Sequence, residues 1–388
     1  MMQFADRVYR LGTETAFEVL ARARKLEAEG KKIIHLQIGE PDFTTPKNIC
    51  DAAIRAIQAG YTHYTPAPGF MEVRKAIAEY VSRTRELEFT AENVVVTPGA
   101  KPIMFYTILA LINKGDEVIY PNPGFPIYES MINFVGGTPV PIQLKEEDSF
   151  KIDLKEFEHL VTNRTKLVII NTPGNPTGRA IPRSDIEAIA EILKNKDTYI
   201  LSDEIYSRIT YDNAEIFSIS KVPGFKDRTI ILDGFSKTYA MTGWRAGYGV
   251  MNTELTPVIS KLMVNSNSCT NAVTQQACIE ALNGPQDEVD KMVAEFKRRR
   301  EVIVKGLNSI PGFSCLTPNG AFYAFPNIKK TGFKSKELAD KLLYEAGVAT
   351  LAGTSFGKFG EGYLRVSYAN SIENINLAIE KIKEVLKK

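Results

Sequence analysis

The chain has little of what metal sites, disulfide frameworks and membrane spans are made from. Its four cysteines, Cys50, Cys269, Cys278 and Cys315, lie far apart and form no C-x-x-C pair. The three histidines, His35, His63 and His159, are equally scattered, so no zinc-type ligand spacing exists and no metal is expected. That cysteine usage fits a reducing cytosol. No run reaches the roughly 18 apolar residues that a spanning helix needs. The opening "MMQFADRVYRLG" lacks the continuous apolar core of a secretory signal, so a cytoplasmic protein with no membrane partner is expected. Charge of one sign is also missing: 48 Lys+Arg stand against 46 Asp+Glu, which leaves no electrostatic footprint for nucleic acid. The densest basic stretch, "KRRR" at Lys297–Arg300, falls in a helix-period segment and reads as the solvated face of an amphipathic helix. No G-x-G-x-x-G or G-K-[ST] follows a strand-like run, and glycine-rich "GKFGEG" precedes one instead. Nicotinamide and nucleotide loops are therefore disfavoured.

What is present is an apolar content of 44% over 388 residues, enough for a substantial core divided among two or three domains. Apolar, β-branched runs ("NVVVT", "DEVIYP", "KLVIINTP", "YILSDE", "TIILDG") alternate with helix-period segments such as "IPRSDIEAIAEILKN". Continuous apolar strands between amphipathic helices imply an α/β fold, a three-layer domain around a mostly parallel sheet buried on both faces. The later segments change to a smaller α+β pattern, with a long helix near Asp287–Leu307, then "FYAFPNI", a helix near Lys336–Glu345, "YLRVSYA" and a final helix. The expected division is an N-terminal segment over 1–45 joining the smaller domain, a large domain over 46–285, and the smaller domain over 286–388.

In open parallel sheets, ligands lie beyond the carboxyl ends of the strands. Chemically capable residues follow the strand-like runs here. After "NVVV" comes "TPGAK", a turn with Gly99, Ala100 and Lys101 that opens a helix. Its free amides and the positive end of the helix dipole suit a phosphate. After "TIIL" comes "GFSKTYAMTGWRAG", where Ser236 and Arg245 supply a hydroxyl and a planar cation for the same phosphate. Between them stands Lys237. A lysine in such a run is ordinarily a solvated charge, but one held in a site has its amine freed for Schiff-base chemistry by desolvation or a neighbouring cation. A small aldehyde bearing a phosphate fits this arrangement, and pyridoxal phosphate is the obvious one. Asp203, after "YIL", is by itself a helix cap or surface acid. Beside such a cofactor it could hold the proton on the ring nitrogen. Asn175 and Tyr206 could bond the ring oxygen, and Phe125 in "NPGFPIY" could stack on the ring.

"GEPDF", "NTPGNPTG", "SDEIY" and "GFSKTYAMTGWRAGYG", in that order, resemble the class I aminotransferases among fold-type I pyridoxal-phosphate enzymes, most closely the bacterial and archaeal aspartate/aromatic subgroup. The resemblance runs from "HLQIGEPDF" to "YLRVSYA". It implies that Lys237 is the Schiff-base lysine and proton shuttle, Asp203 the ring-nitrogen partner, and Asn175 and Tyr206 the ring-oxygen donors. It further implies a phosphate cup of the Ala100 and Lys101 amides with Ser236 and Arg245. By the same resemblance Arg365 grips the substrate α-carboxylate, with the Gly39 backbone beside it, and Tyr64 in "YTHYTPAPG" reaches the cofactor of a neighbouring subunit in a homodimer. The implied reaction moves an amino group between an L-amino acid and a 2-oxo acid, with 2-oxoglutarate and glutamate as one pair, by ping-pong kinetics.

Two positions depart from the subgroup pattern. Phe125 stands where aspartate-specific members usually carry tryptophan, and Pro102 stands where glutamine often follows the lysine of the turn. Lys101 is retained. It is either a first-turn residue facing solvent or, as in several relatives, a contact for the distal carboxylate of a dicarboxylic substrate. The second amino acid is thus left as aspartate, aromatic or alanine-like. A lyase or decarboxylase on the same scaffold shares the core residues, so it stays open here. A non-catalytic sensor is disfavoured, because only about 35 residues precede "HLQIGEPDF" and no basic face accompanies them.

Overall fold

The apolar, β-branched runs fold as strands because a sheet buried on both faces needs side chains of that kind on both sides of every strand. The computed structural model describes residues 3–387. Its strands are β1 (Ile34–His35), β2 (Val94–Thr97), β3 (Glu117–Asn122), β4 (Thr138–Gln143), β5 (Thr165–Asn171), β6 (Tyr199–Asp203), β7 (Thr229–Gly234), β8 (Gly247–Val250), β9 (Tyr323–Ala324), β10 (Val348–Ala349), β11 (Leu351–Ala352) and β12 (Leu364–Ser367). Seven form one sheet in the order β2-β8-β7-β6-β5-β3-β4. The β3, β4, β5, β6 and β7 pairings are parallel, whereas β8 runs antiparallel to both β2 and β7.

Both faces are covered. Along β5, Leu167 and Ile169 enter a core with Ile103, Met131 and Ile259, while Val168 and Ile170 enter another with Ile186, Ile189 and Leu193. The helix Arg183–Leu193 buries Ile186, Ile189, Ala190 and Leu193, the spacing of a single helical stripe.

Two strands of this sheet lie outside the apolar runs. β4 carries Pro139 and Pro141, which a ladder tolerates only at an edge, and β4 is an edge strand. β8 reads Gly-Tyr-Gly-Val and looks like a loop in sequence. Its glycines are there for approach: a Cβ on Gly247 would lie 2.3 Å from the Ala100 amide nitrogen, and one on Gly249 would lie 2.8 Å from Ile103. The reversal at β8 matters for function. The chain leaves β7, turns through residues 235–246, and re-enters the sheet beside it, so Lys237 and Arg245 are held in one loop at the carboxyl edge.

The later segments build a three-stranded antiparallel sheet, β11-β12-β9, under the helices Asp287–Asn308 and Ile372–Leu386. β1 pairs in parallel with β10, and the helix Thr15–Ala28 buries Val19, Ala23 and Leu26 against Phe325, Leu343 and Leu351. The basic stretch at Lys297–Arg300 is a solvated face only in its first half: Lys297 and Arg298 are exposed, and the second half corrects the expectation. Arg299 and Arg300 are buried, and their guanidinium groups cover Phe43 and Tyr211 while pairing with Asp42 and Asp212. Long cationic side chains bury their stems in this way wherever an acid meets the head group. Among the described residues no helix is long and apolar enough to cross a membrane, and no cluster of metal-ligating side chains occurs.

Candidate active site

The strand-end rule leads to a cavity of about 580 Å3 that opens where β2, β3, β5, β6 and β7 end and where β12 faces them. Its lining includes Gly39, Ala100, Lys101, Phe125, Asn175, Asp203, Tyr206, Ser236, Lys237, Arg245 and Arg365. Gly99 stands just behind this wall. Tyr64 does not line the cavity; its side chain is 90% exposed on the outer surface.

The turn after β2 is built for close approach. Gly99 adopts φ +86°, in the left-handed region, and a Cβ there would lie 2.3 Å from Nη2 of Arg245. The guanidinium also donates to the carbonyl oxygens of Thr242 and Pro98. The helix Lys101–Leu111 starts at this turn, so its first amides have no partner within the helix. Unpaired amides, the Ser236 hydroxyl and a guanidinium thus meet around one concavity.

Lys237 is partly buried and its Nζ donates to the Gly39 carbonyl oxygen at 2.6 Å. Burial lowers its amine from 10.5 to about 8, with Glu40 opposing that shift and Arg365 adding to it. Gly39 has no room for a side chain, because a Cβ would lie 2.1 Å from the Tyr323 hydroxyl. Asp203 ends β6 and is 7% exposed. Burial pushes its carboxyl up to about 6, even though the Tyr128 hydroxyl donates to Oδ2 at 2.5 Å and the Ile205 amide donates to Oδ1. A carboxylate so placed, with no ion-pair partner among the described residues, is a receptor for a buried cation.

Arg365 shows the complementary imbalance. It is 4% exposed on β12, its Nη1 donates to Oδ1 of Asn175 and its Nη2 to the Gln37 carbonyl oxygen. Its Nε has no partner, and it has no carboxylate partner among the described residues. Burial depresses its pKa. The guanidinium lies between Tyr323 and Phe356, 4.5 and 4.9 Å from their ring centres, which fixes its plane.

Sequence reading overlooked three groups at the site. Tyr128, in the same "NPGFPIY" stretch as Phe125, bonds Asp203 and packs edge-on to Phe125. Asn171 accepts the Asn175 amide and donates to the Asp203 backbone, so it ties the ends of β5 and β6 together. The Tyr323 hydroxyl shares a 2.6 Å hydrogen bond with Tyr206. A tyrosine after a strand was a signal available for Tyr128; nothing local marked Tyr323.

A pyridoxal phosphate fits these residues. The Gly99 cradle would accept the phosphate, Lys237 the aldehyde carbon, and the unpaired carboxylate of Asp203 a protonated ring nitrogen. Comparison with known proteins leads to the same place. The family described as aminotransferase class I and II matches residues 31–382. An aspartate aminotransferase from Bacillus sp. (strain YM-2) is 41% identical, with 99% of each chain covered. A (5-formylfuran-3-yl)methyl phosphate transaminase from Methanocaldococcus jannaschii is 40% identical over 96% of each chain. The solved structure of the aspartate aminotransferase from Thermus thermophilus with maleate superposes with a TM-score of 0.95 at 34% identity, covering 99% of this chain and 100% of that one. With that family matching nearly the whole chain and relatives of about 40% identity aligning over almost all of it, the chain belongs to the class I and II aminotransferase family, which works through pyridoxal phosphate.

Proposed function

We propose that the protein exchanges amino groups between an L-amino acid, aspartate, aromatic or alanine-like, and 2-oxoglutarate. The observation that carries this reading is Arg365, a buried guanidinium with an unsatisfied Nε and no acid to pair with among the described residues. Such a group costs stability unless an anion joins it, and a planar guanidinium takes a carboxylate through two parallel hydrogen bonds. In this reading Arg365 holds the α-carboxylate of either substrate, with the Gly39 backbone alongside.

The amides of Ala100 and Lys101, the Ser236 hydroxyl and Arg245 would hold the cofactor phosphate. Asn175 and Tyr206 would donate to the ring oxygen, Phe125 would cover the ring, and Asp203 would keep the ring nitrogen protonated. When bound, the cofactor supplies a carbonyl that condenses with amines and a ring that accepts charge released at the substrate α-carbon. The chain's own part is acid–base work. Lys237 Nζ, lowered to about 8, is neutral often enough near neutral pH to take the α-proton and to return it. Its hydrogen bond to the Gly39 carbonyl oxygen holds that amine inside the cavity, where the α-carbon of a clamped substrate would lie. Both substrates would use the same Arg365 clamp, so the first product must leave before the second substrate binds, which is ping-pong order.

We also read the chain as a large sheet domain and a smaller C-terminal one with the N-terminal segment attached. The exposed Tyr64 serves the cofactor of the second subunit in a homodimer. Exposed apolar side chains close to it in the chain, Ile54, Ile57 and Met71, support that contact. Four free thiols suit the cytoplasm.

The test is the visible absorption spectrum of the cofactor-loaded protein before and after L-glutamate. Exchange of the lysine-bound cofactor band for the aminated-cofactor band is expected, followed by recovery on adding a 2-oxo acid. A spectrum that glutamate, aspartate, alanine and phenylalanine all leave unchanged would refute the proposal.

A further inference from the structure

The cavity has two cationic corners that are wired differently. Arg365 has no acid. Lys101, at the rim, has its Nζ in an ion pair with Oε1 of Glu14. Glu14 occupies the N-cap position of the helix Thr15–Ala28, yet its side chain makes no capping bond to that helix. Glutamate is in any case a poor cap. The carboxylate is committed to Lys101, and it reaches across to the start of a different helix to do so. Side-chain exposures are 45% for Lys101 and 18% for Glu14, and a pair so close to water adds little stability. Glu14 and its neighbours Thr15, Ala16 and Phe17 line the cavity itself. The same corner offers apolar surface, because the Phe125 ring centre lies 5.6 Å from Lys101 Nζ.

We propose that Glu14 is an internal stand-in for the second carboxylate of a dicarboxylic substrate. It keeps Lys101 neutralised while a neutral side chain lies against Phe125, and it yields that cation when a distal carboxylate arrives. The inference rests on the aminotransferase reading with Arg365 as the α-carboxylate clamp. It makes Glu14 a specificity-determining residue: one site accepts both dicarboxylic and neutral amino acids because the charge at its far end is always balanced. The two carboxylates compete for one ammonium group. The energy of the Glu14–Lys101 pair therefore acts as a tax on dicarboxylic ligands alone, roughly two- to fivefold in affinity for a half-exposed pair.

Calorimetric titration of the holoenzyme with succinate and with 3-phenylpropanoate measures that tax without turnover. In E14Q the succinate affinity relative to 3-phenylpropanoate should rise by roughly two- to fivefold, and kcat/KM for glutamate relative to phenylalanine should move the same way. In a K101M background, E14Q should leave both ratios where K101M alone puts them. An unchanged ratio in E14Q, a change that persists in K101M, or failure of either ligand to bind the wild type overturns the proposal. Wild-type protein that binds both ligands but transaminates no amino acid would instead overturn the reading beneath it, with the calorimetric ratio still deciding the role of Glu14.

Discussion

Replacing Arg365 by methionine separates the two things a buried cation can be for. If it were a structural tie, its loss would leave the Gln37 carbonyl and the Asn175 side chain short of a donor. The cost would be about 1–3 kcal/mol for each such group. Against that stands the desolvation of a guanidinium with no counter-ion among the described residues, several kcal/mol, which methionine of similar length removes. The two contributions nearly cancel, so the cofactor-loaded R365M protein should unfold within about 3 °C of the wild type, a shift worth about 2 kcal/mol for a chain of 388 residues. Activity should not cancel. Losing a bidentate, charge-assisted clamp on the α-carboxylate removes about 3–5 kcal/mol, so kcat/KM should fall by roughly two to four powers of ten. R365K keeps the charge but loses the planar fork, and should fall between the two. The assay is steady-state transamination alongside thermal unfolding, with 3-phenylpropanoate binding as a check on the carboxylate site. A variant that melts far below the wild type, or one that still binds 3-phenylpropanoate as tightly, would refute the reasoning.

Lys237 in the cofactor-free protein has its amine lowered from 10.5 to about 8, so it is protonated below that pH and neutral above it. The rate at which apoprotein captures pyridoxal phosphate should therefore rise with pH and level off above about 8, whereas a rate still climbing at pH 10 would mean an ordinary lysine. Asp203 has a folded value raised from 3.8 to about 6, so burying its ionised form costs stability that accumulates as pH rises through that interval. Denaturant unfolding should find apo D203N more stable than apo wild type above pH 6, by up to about 3 kcal/mol, with the difference gone near pH 4. The same substitution in the loaded enzyme should lower kcat by roughly 10²–10³, the size of one lost electrostatic contact to developing charge. Tyr64→Phe should leave the subunit fold intact and weaken cofactor retention only in the assembled dimer, as read by spectral titration alongside sedimentation; equal retention in both proteins would take Tyr64 out of the site.

The local code reached far into this protein. The runs that became β3, β5, β6 and β7 were legible because a doubly covered strand has to be apolar on both sides, and that demand is written in consecutive residues. The strand-end rule then pointed to Gly99, Asn175, Asp203 and Lys237 without any fold in hand, since each lies within a few positions of a strand's carboxyl end. Tertiary structure decided the rest. β4 and β8 have compositions that local propensity rejects, and they are strands only because an edge tolerates proline and because Ile103 and Ala100 need the space that glycines leave. Arg299 and Arg300 looked solvated until Phe43, Tyr211 and two acids from distant segments covered them. The imbalance at Arg365, the Tyr128 bond to Asp203 and the Glu14–Lys101 pair join residues far apart in the chain. No periodicity records such contacts, because they are set by which surfaces meet when the sheets close around one cavity, and charge balance there is a property of three dimensions.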